Sequence, residues 1–155
     1  MSRGENFDLK LARTCAKAFA AACGVGCVVS DASGAVKYES GCGCASCGVC
    51  RAAGRKPDDC VRAHIYGMTE AARFGGKYIY LCPMGLTCFV SPILGDGDIE
   101  AKITVGPFLM VERQDYIACD LEEQLGLTGQ DLERVTAALE PIPYIPTEKV
   151  TEMST

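Results

Sequence analysis

The densest chemistry in the chain is the run Cys42-Gly43-Cys44-Ala45-Ser46-Cys47-Gly48-Val49-Cys50, followed by Cys60, Cys82-Pro83 and Cys88. Thiolates are soft ligands. A Cys-x2-Cys spacing suits one metal ion because the intervening turn brings both sulfurs to one side. Gly43, Ala45 and Gly48 are small enough for the backbone to wrap closely around such an ion.

Two metal chemistries fit this pattern. Zinc takes thiolates in tetrahedral geometry. Cys44, Cys47 and Cys50 with a remote Cys82-Pro83 equally match the ligation of a [4Fe-4S] cluster by three close thiolates and one distant Cys-Pro. Spacing does not choose between them, and Cys42, Cys44, Cys88 and His64 all stand as possible ligands. Cys15, Cys23, Cys27 and Cys119 fall on apolar faces and are expected as small buried hydrophobes. His64, the single histidine, follows Cys60 by one helical turn, so the two share a face and could ligate together or line one pocket; an ordinary core or surface histidine is the alternative.

Other chemistries lack their signatures. No orienting group or nucleophile motif accompanies a Cys-His pair, no βαβ unit surrounds the Cys-x2-Cys run, and neither nucleotide-binding glycine fingerprint occurs. The chain is therefore expected not to be an enzyme.

Eleven cysteines in 155 residues set the compartment. The polar start, MSRGENFDLK, has no apolar leader, and no apolar run reaches the roughly 18 to 20 residues of a bilayer span, so a cytoplasmic location without membrane contact is expected. There, metal ligation explains the thiols better than a disulfide framework. Hydrophobic residues at 48% and charged residues at 23% fit one ordinary folded domain. A net charge of -5 with no cluster of Lys or Arg argues against direct nucleic-acid binding.

The elements that must position these groups follow from periodicity. Apolar residues predict an amphipathic helix over about Asn6 to Ala22, a hairpin from Cys27 to Tyr38, and a loop from Gly41 to Cys60 organised by its ligands. A second helix spans about Asp59 to Phe74, ended by Gly75-Gly76. Three antiparallel strands follow at Lys77 to Leu81, Thr87 to Leu94 and Ala101 to Leu109, the last two joined by Gly95-Asp96-Gly97-Asp98. Two more helices cover Tyr116 to Leu139, with Thr128 as an N-cap. Pro141, Pro143 and Pro146 then predict a connector without regular helix, dividing the chain into a domain at 1–140 and a tail at 141–155. The order gives an α+β domain with one mainly antiparallel sheet and a Cys-rich loop.

Cys60, His64, Ala71, Gly75, Tyr80-Leu81-Cys82-Pro83-Met84-Gly85-Leu86, Ser91-Pro92-Ile93 and Val105-Gly106-Pro107-Phe108-Leu109, in that order, resemble the PocR-type sensory domain. The resemblance implies a PAS/GAF-like antiparallel sheet flanked by helices. It also implies binding of a small metabolite of the hydrocarbon-derivative kind, and control of a histidine kinase or DNA-binding output module on the same or another chain. Cys47, Cys60 and Cys82 match the family's positions best. The expected metal site is Cys47, Cys50, Cys60 and Cys82, with Cys44 or His64 as substitutes; the expected ligand pocket is His64, Tyr80, Met84, Phe89 and Phe108.

The leading reading is a cytoplasmic signal sensor that responds through ligand binding, a Cys-bound metal, or both, with a homodimer as a further possibility. An iron-sulfur electron carrier and a structural zinc interaction module are the alternatives.

Overall fold

The computed structural model describes residues 8–41, 43–44, 47–73, 76–95 and 98–154. Asn6, Phe7, Cys42, Ala45, Ser46, Phe74, Gly75, Asp96 and Gly97, all used above, lie outside that set. Five strands, β1 (Cys27–Asp31), β2 (Val36–Ser40), β3 (Tyr78–Leu81), β4 (Thr87–Gly95) and β5 (Asp98–Phe108), form one antiparallel sheet in the order β2-β1-β5-β4-β3. The β1-β2 turn is built by Asp31, whose Oδ1 accepts from Ser33 N, Ser33 Oγ and Ala35 N at 2.6–3.0 Å.

The first helix, α1 (Leu9–Cys23), starts where Asp8 Oδ1 accepts from the Leu11 amide at 2.9 Å, and ends at Gly24 in the left-handed conformation. Ala12, Ala16 and Ala20 form its buried line and lie against Cys27, Val29, Phe89 and Val105 on one face of the sheet. The buried stripe is narrower than expected, because apolar residues cover so much of this helix that composition does not say which side docks. Leu11 and Cys15 are left exposed; Cys119 is exposed as well. The expectation of burial therefore holds for Cys27 and fails for Cys15 and Cys119.

On the opposite face lies α3 (Pro57–Arg73), packed on β3 and β4. Strand register determines what it meets. Tyr80 stands opposite Cys88, Val28 and Val90 both stand opposite Thr104, and Ser30 stands opposite Lys102, which puts all seven on the α3 side. A short helix, α2 (Val49–Ala52), interrupts the Cys-rich loop that was expected to lack regular structure.

Past the sheet, α4 (Arg113–Tyr116) runs into a π-helical segment, Ile117–Gln124, and α5 (Gly129–Ala138) follows. Leu121, Val135 and Leu139 pack with Val49, Met84 and Leu86 in a second core at the end of the sheet. The stretch expected as a connector belongs to the packing. Leu109 exchanges backbone bonds with Pro143 and Ile145 at 2.7–2.8 Å, and Arg113 donates to the carbonyls of Leu139 and Ile142. Ile142, Ile145 and Val150 are buried, and Pro146 directly precedes a helix, α6 (Thr147–Ser154). Proline excludes helix interiors but is well suited to helix starts. The alternating apolar residues between the three prolines give this tail something to bury.

Candidate functional site

Three elements converge under α3. The loop before α2 brings Cys44, β4 brings Cys88 and α3 brings His64, so that their ligand atoms lie within 4.8 Å of one another. Cys44 Sγ and Cys88 Sγ are 3.6 Å apart. His64 Nδ1 is hydrogen-bonded to Tyr80 Oη, the two rings meeting edge-on with centroids 5.6 Å apart. His64 Nε2 is buried and has no hydrogen-bond partner among the described residues. With Nδ1–H donating to Tyr80 Oη, Nε2 keeps a free lone pair, the tautomer a metal-ligating histidine requires.

The close approach of α3 to Tyr80 depends on Gly67, where a Cβ would sit 2.5 Å from the tyrosine ring. A second glycine fixes the turn from β3 to β4. Gly85, at φ 76°, donates its amide to Cys82 O at 2.9 Å, and this turn aims the Cys82 sulfur back at the amides of Met84 and Leu86.

The thiols divide into two linked groups. Mutual hydrogen bonding followed by burial raises the Cys44 thiol well above its ordinary value. Cys50 touches both Cys60 and Cys82, with Cys47 close enough to interact electrostatically. Cys60 is pushed up to about 12, first by its bond to Cys50, while His64 acts in the opposite direction. Cys82 is lowered, first by the Cys50 thiol and then by the Met84 and Leu86 amides. Cys60 thus bridges the Cys50–Cys82 group to His64.

A cavity of about 400 Å³ opens beside the Cys44–His64–Cys88 cluster. Cys44, Cys60 and His64 form one wall, Val61, Ile65 and Met68 of α3 the roof, and Val28, Ser30, Lys102 and Thr104 of the sheet the floor. Lys102 is only 5% exposed, and burial lowers its affinity for its proton.

The profile of the sensory domain found in PocR matches residues 5–155. The chain belongs to the PocR sensory-domain family. Among curated proteins, none matches it. Its five-stranded antiparallel sheet with flanking helices agrees with the PAS/GAF-like fold expected of a PocR sensory domain. No helix among the described residues is long and apolar enough to cross a membrane.

Within this PocR domain the expected site residues separate. Cys50, Cys60 and Cys82 come together and Cys47 lies next to them, yet the tightest donor set, Cys44–His64–Cys88, contains none of the four. His64 lines the cavity and Tyr80 supports it from behind. Met84, Phe89 and Phe108 line no part of it: Met84 packs in the second core, Phe89 and Phe108 in the layer under α1. Phe89 alternates with Cys88 and Val90 and so faces away from α3, whereas Met84 lies in the turn between β3 and β4. Lys102, Ser30 and Thr104 were missed because polar residues at alternate strand positions read as a solvent face. The one available signal was a lysine in a strand run otherwise without charge, Ala101-Lys102-Ile103-Thr104-Val105.

The donor set fits a metal ion. A tetrahedral ion with metal–sulfur bonds of about 2.3 Å holds two thiolates about 3.8 Å apart, close to the observed 3.6 Å between Cys44 and Cys88. His64, whose ring reaches within 4.8 Å of both sulfurs and whose Nε2 is unpartnered among the described residues, would supply the third donor.

Proposed function

We propose that this domain is a cytoplasmic ligand sensor in which a small metabolite occupies the cavity under α3 beside a single zinc-class ion held by Cys44, His64 and Cys88. The observation that carries the reading is the sharing of side chains: Cys44 and His64 belong both to the donor cluster and to the cavity wall. A molecule in the cavity therefore touches the centre directly. Bound there, zinc would supply a Lewis-acid position for a donor from the ligand, since three protein ligands leave one tetrahedral site.

The rest of the mechanism lies in the chain's own residues. Tyr80 holds the His64 ring through Nδ1, and Gly67 lets α3 settle on that pair. Because α3 carries His64 and also roofs the cavity, ligand occupancy and helix position are coupled, which gives an output kinase or DNA-binding module something to read. The role is binding without turnover, in keeping with the sensory family. Every described cysteine is a free thiol, as a reducing compartment would leave it.

A second reading has its own support. Cys50 in contact with Cys60 and Cys82, with Cys47 nearby, offers four thiolates to a [4Fe-4S] cluster, which would make the sensed quantity redox or a gas. Metal and acid-labile sulfide analysis of anaerobically purified chain decides between them. One zinc per chain, lost in Cys44→Ala, Cys88→Ala and His64→Ala but kept in Cys15→Ala, is the expected result. Iron with sulfide, lost in Cys47→Ala and Cys82→Ala, would replace the zinc reading. A metal-free wild type would end both.

A further inference from the structure

The cavity floor carries three polar donors that make no hydrogen bond or ion pair among the described residues. Lys102 lies buried on β5, Ser30 faces it directly across the β1-β5 pair, and Thr104 is the next residue along β5 on the same face. Among the described residues, Lys102 forms no ion pair, and neither hydroxyl makes a hydrogen bond. Glu100, two residues before Lys102 on the same face, is buried and does not pair with it, and its Oε2 is itself unpartnered. An ammonium held out of water without a counter-charge is costly, and this one opens into a space walled elsewhere by Val28, Val61, Ile65 and Met68.

We infer that the cavity takes a small aliphatic carboxylate, its anionic end on Lys102, Ser30 and Thr104 and its hydrocarbon end against Val28, Val61, Ile65 and Met68. This rests on the sensor reading above and adds the charge class of the ligand. The carboxylate supplies what the floor lacks: a counter-ion for the ammonium and acceptors for two hydroxyls. A neutral molecule of the same shape fills the apolar part but leaves the lysine unpaired. The apolar patch of Val28, Val61, Ile65 and Met68 suits a short saturated chain, while Cys60 and His64 are the polar groups that α3 adds to the wall.

Isothermal titration of the full chain with hexanoate, hexanamide and 1-hexanol tests this, with binding located by amide resonance shifts at Val28, Ile65 and Met68. Hexanoate should bind about tenfold or more tightly than either neutral compound, as charge-assisted hydrogen bonds outweigh neutral ones. Lys102→Met should bring hexanoate down to the level of hexanamide while leaving the latter unchanged, and Lys102→Arg should preserve the preference. Removing a buried unpaired charge does not threaten folding, so the Met variant is readable. Equal binding of all three compounds at the cavity resonances would overturn the carboxylate assignment and leave the sensor cavity standing. Shifts from none of them would remove the cavity reading and this inference together. If Lys102→Met lowers zinc occupancy but keeps the hexanoate preference, the lysine serves the Cys44 thiolate and the inference is wrong.

Discussion

His64 and Tyr80 are joined through Nδ1 and the phenol oxygen, while the other nitrogen of the same imidazole is buried without a hydrogen-bond partner among the described residues, in a ring that reaches within 4.8 Å of the Cys44 and Cys88 sulfurs. An unmade hydrogen bond on a buried ring nitrogen costs about 1–3 kcal/mol. The ring is nevertheless held in place by its second nitrogen and by edge-on contact with the tyrosine. That combination of one nitrogen fixed and one left open is what distinguishes a ligand histidine from an ordinary core histidine.

Tyr80→Phe should fold and lower zinc affinity by about 10–100-fold, the usual cost of losing an outer partner of a ligand histidine. Competition against a chromophoric chelator measures it. His64→Ala should lose more, and a Tyr80→Phe variant with wild-type affinity would reduce the tyrosine to a packing residue.

Gly67→Ala sets two effects against each other. Alanine favours a helix interior over glycine by about 1 kcal/mol, whereas forcing a methyl into a filled space costs about 1–3 kcal/mol. A Cβ 2.5 Å from the Tyr80 ring makes the second term the larger, so urea unfolding should show net destabilisation. Zinc affinity should fall with it, because displacing Tyr80 frees the His64 ring. A stabilised variant would mean that α3 has room to lift.

Asp31 gives the fold a defined acid sensitivity. Hydrogen bonds from Ser33 and Ala35 hold its carboxyl below the ordinary 3.8, although burial opposes them. Since the folded state binds this proton less tightly than the unfolded chain, the contribution is complete above that ordinary value and is lost as pH falls through the lower folded one. Asp31→Asn should cost about 1–3 kcal/mol at neutral pH, with the gap closing in acid. Unfolding curves at several pH values between about 3 and 7 would show it.

Ile142→Ala should destabilise the chain by about 2–5 kcal/mol, as large-to-small changes in a closed core do. Ending the chain after Glu140 should prevent a cooperative unfolding transition, because Leu109 loses its backbone partners Pro143 and Ile145 and Arg113 one of its two carbonyls as well. A truncated chain that unfolds like the full one would restore the connector reading of the tail.

Much of this architecture is local and so was readable from residues alone. The Ala-rich first helix, the Asp31 hairpin and the strand runs expected from Lys77, Thr87 and Ala101 rest on periodicities of 3.6 and 2, which act over a few neighbours, although the last strand begins earlier, at Asp98. The same holds for Cys60 and His64 sharing a helical face, and for thiol chemistry being present at all. The family motif was legible because its Gly85 and Cys82 serve one tight turn.

Tertiary structure alone decided which thiols meet. Cys44 reaches Cys88 only because a loop folds under α3 and because β3 pairs with β4 in the register that sets Tyr80 against Cys88. A one-residue slip of that register would turn the thiol to the other face. The buried Lys102 and the packed tail have the same origin, since an alternating polar residue or a proline-spaced isoleucine is covered or exposed according to what docks on it. Ligand chemistry was therefore written in residue types, and the identity of the site in contacts between residues far apart in the chain.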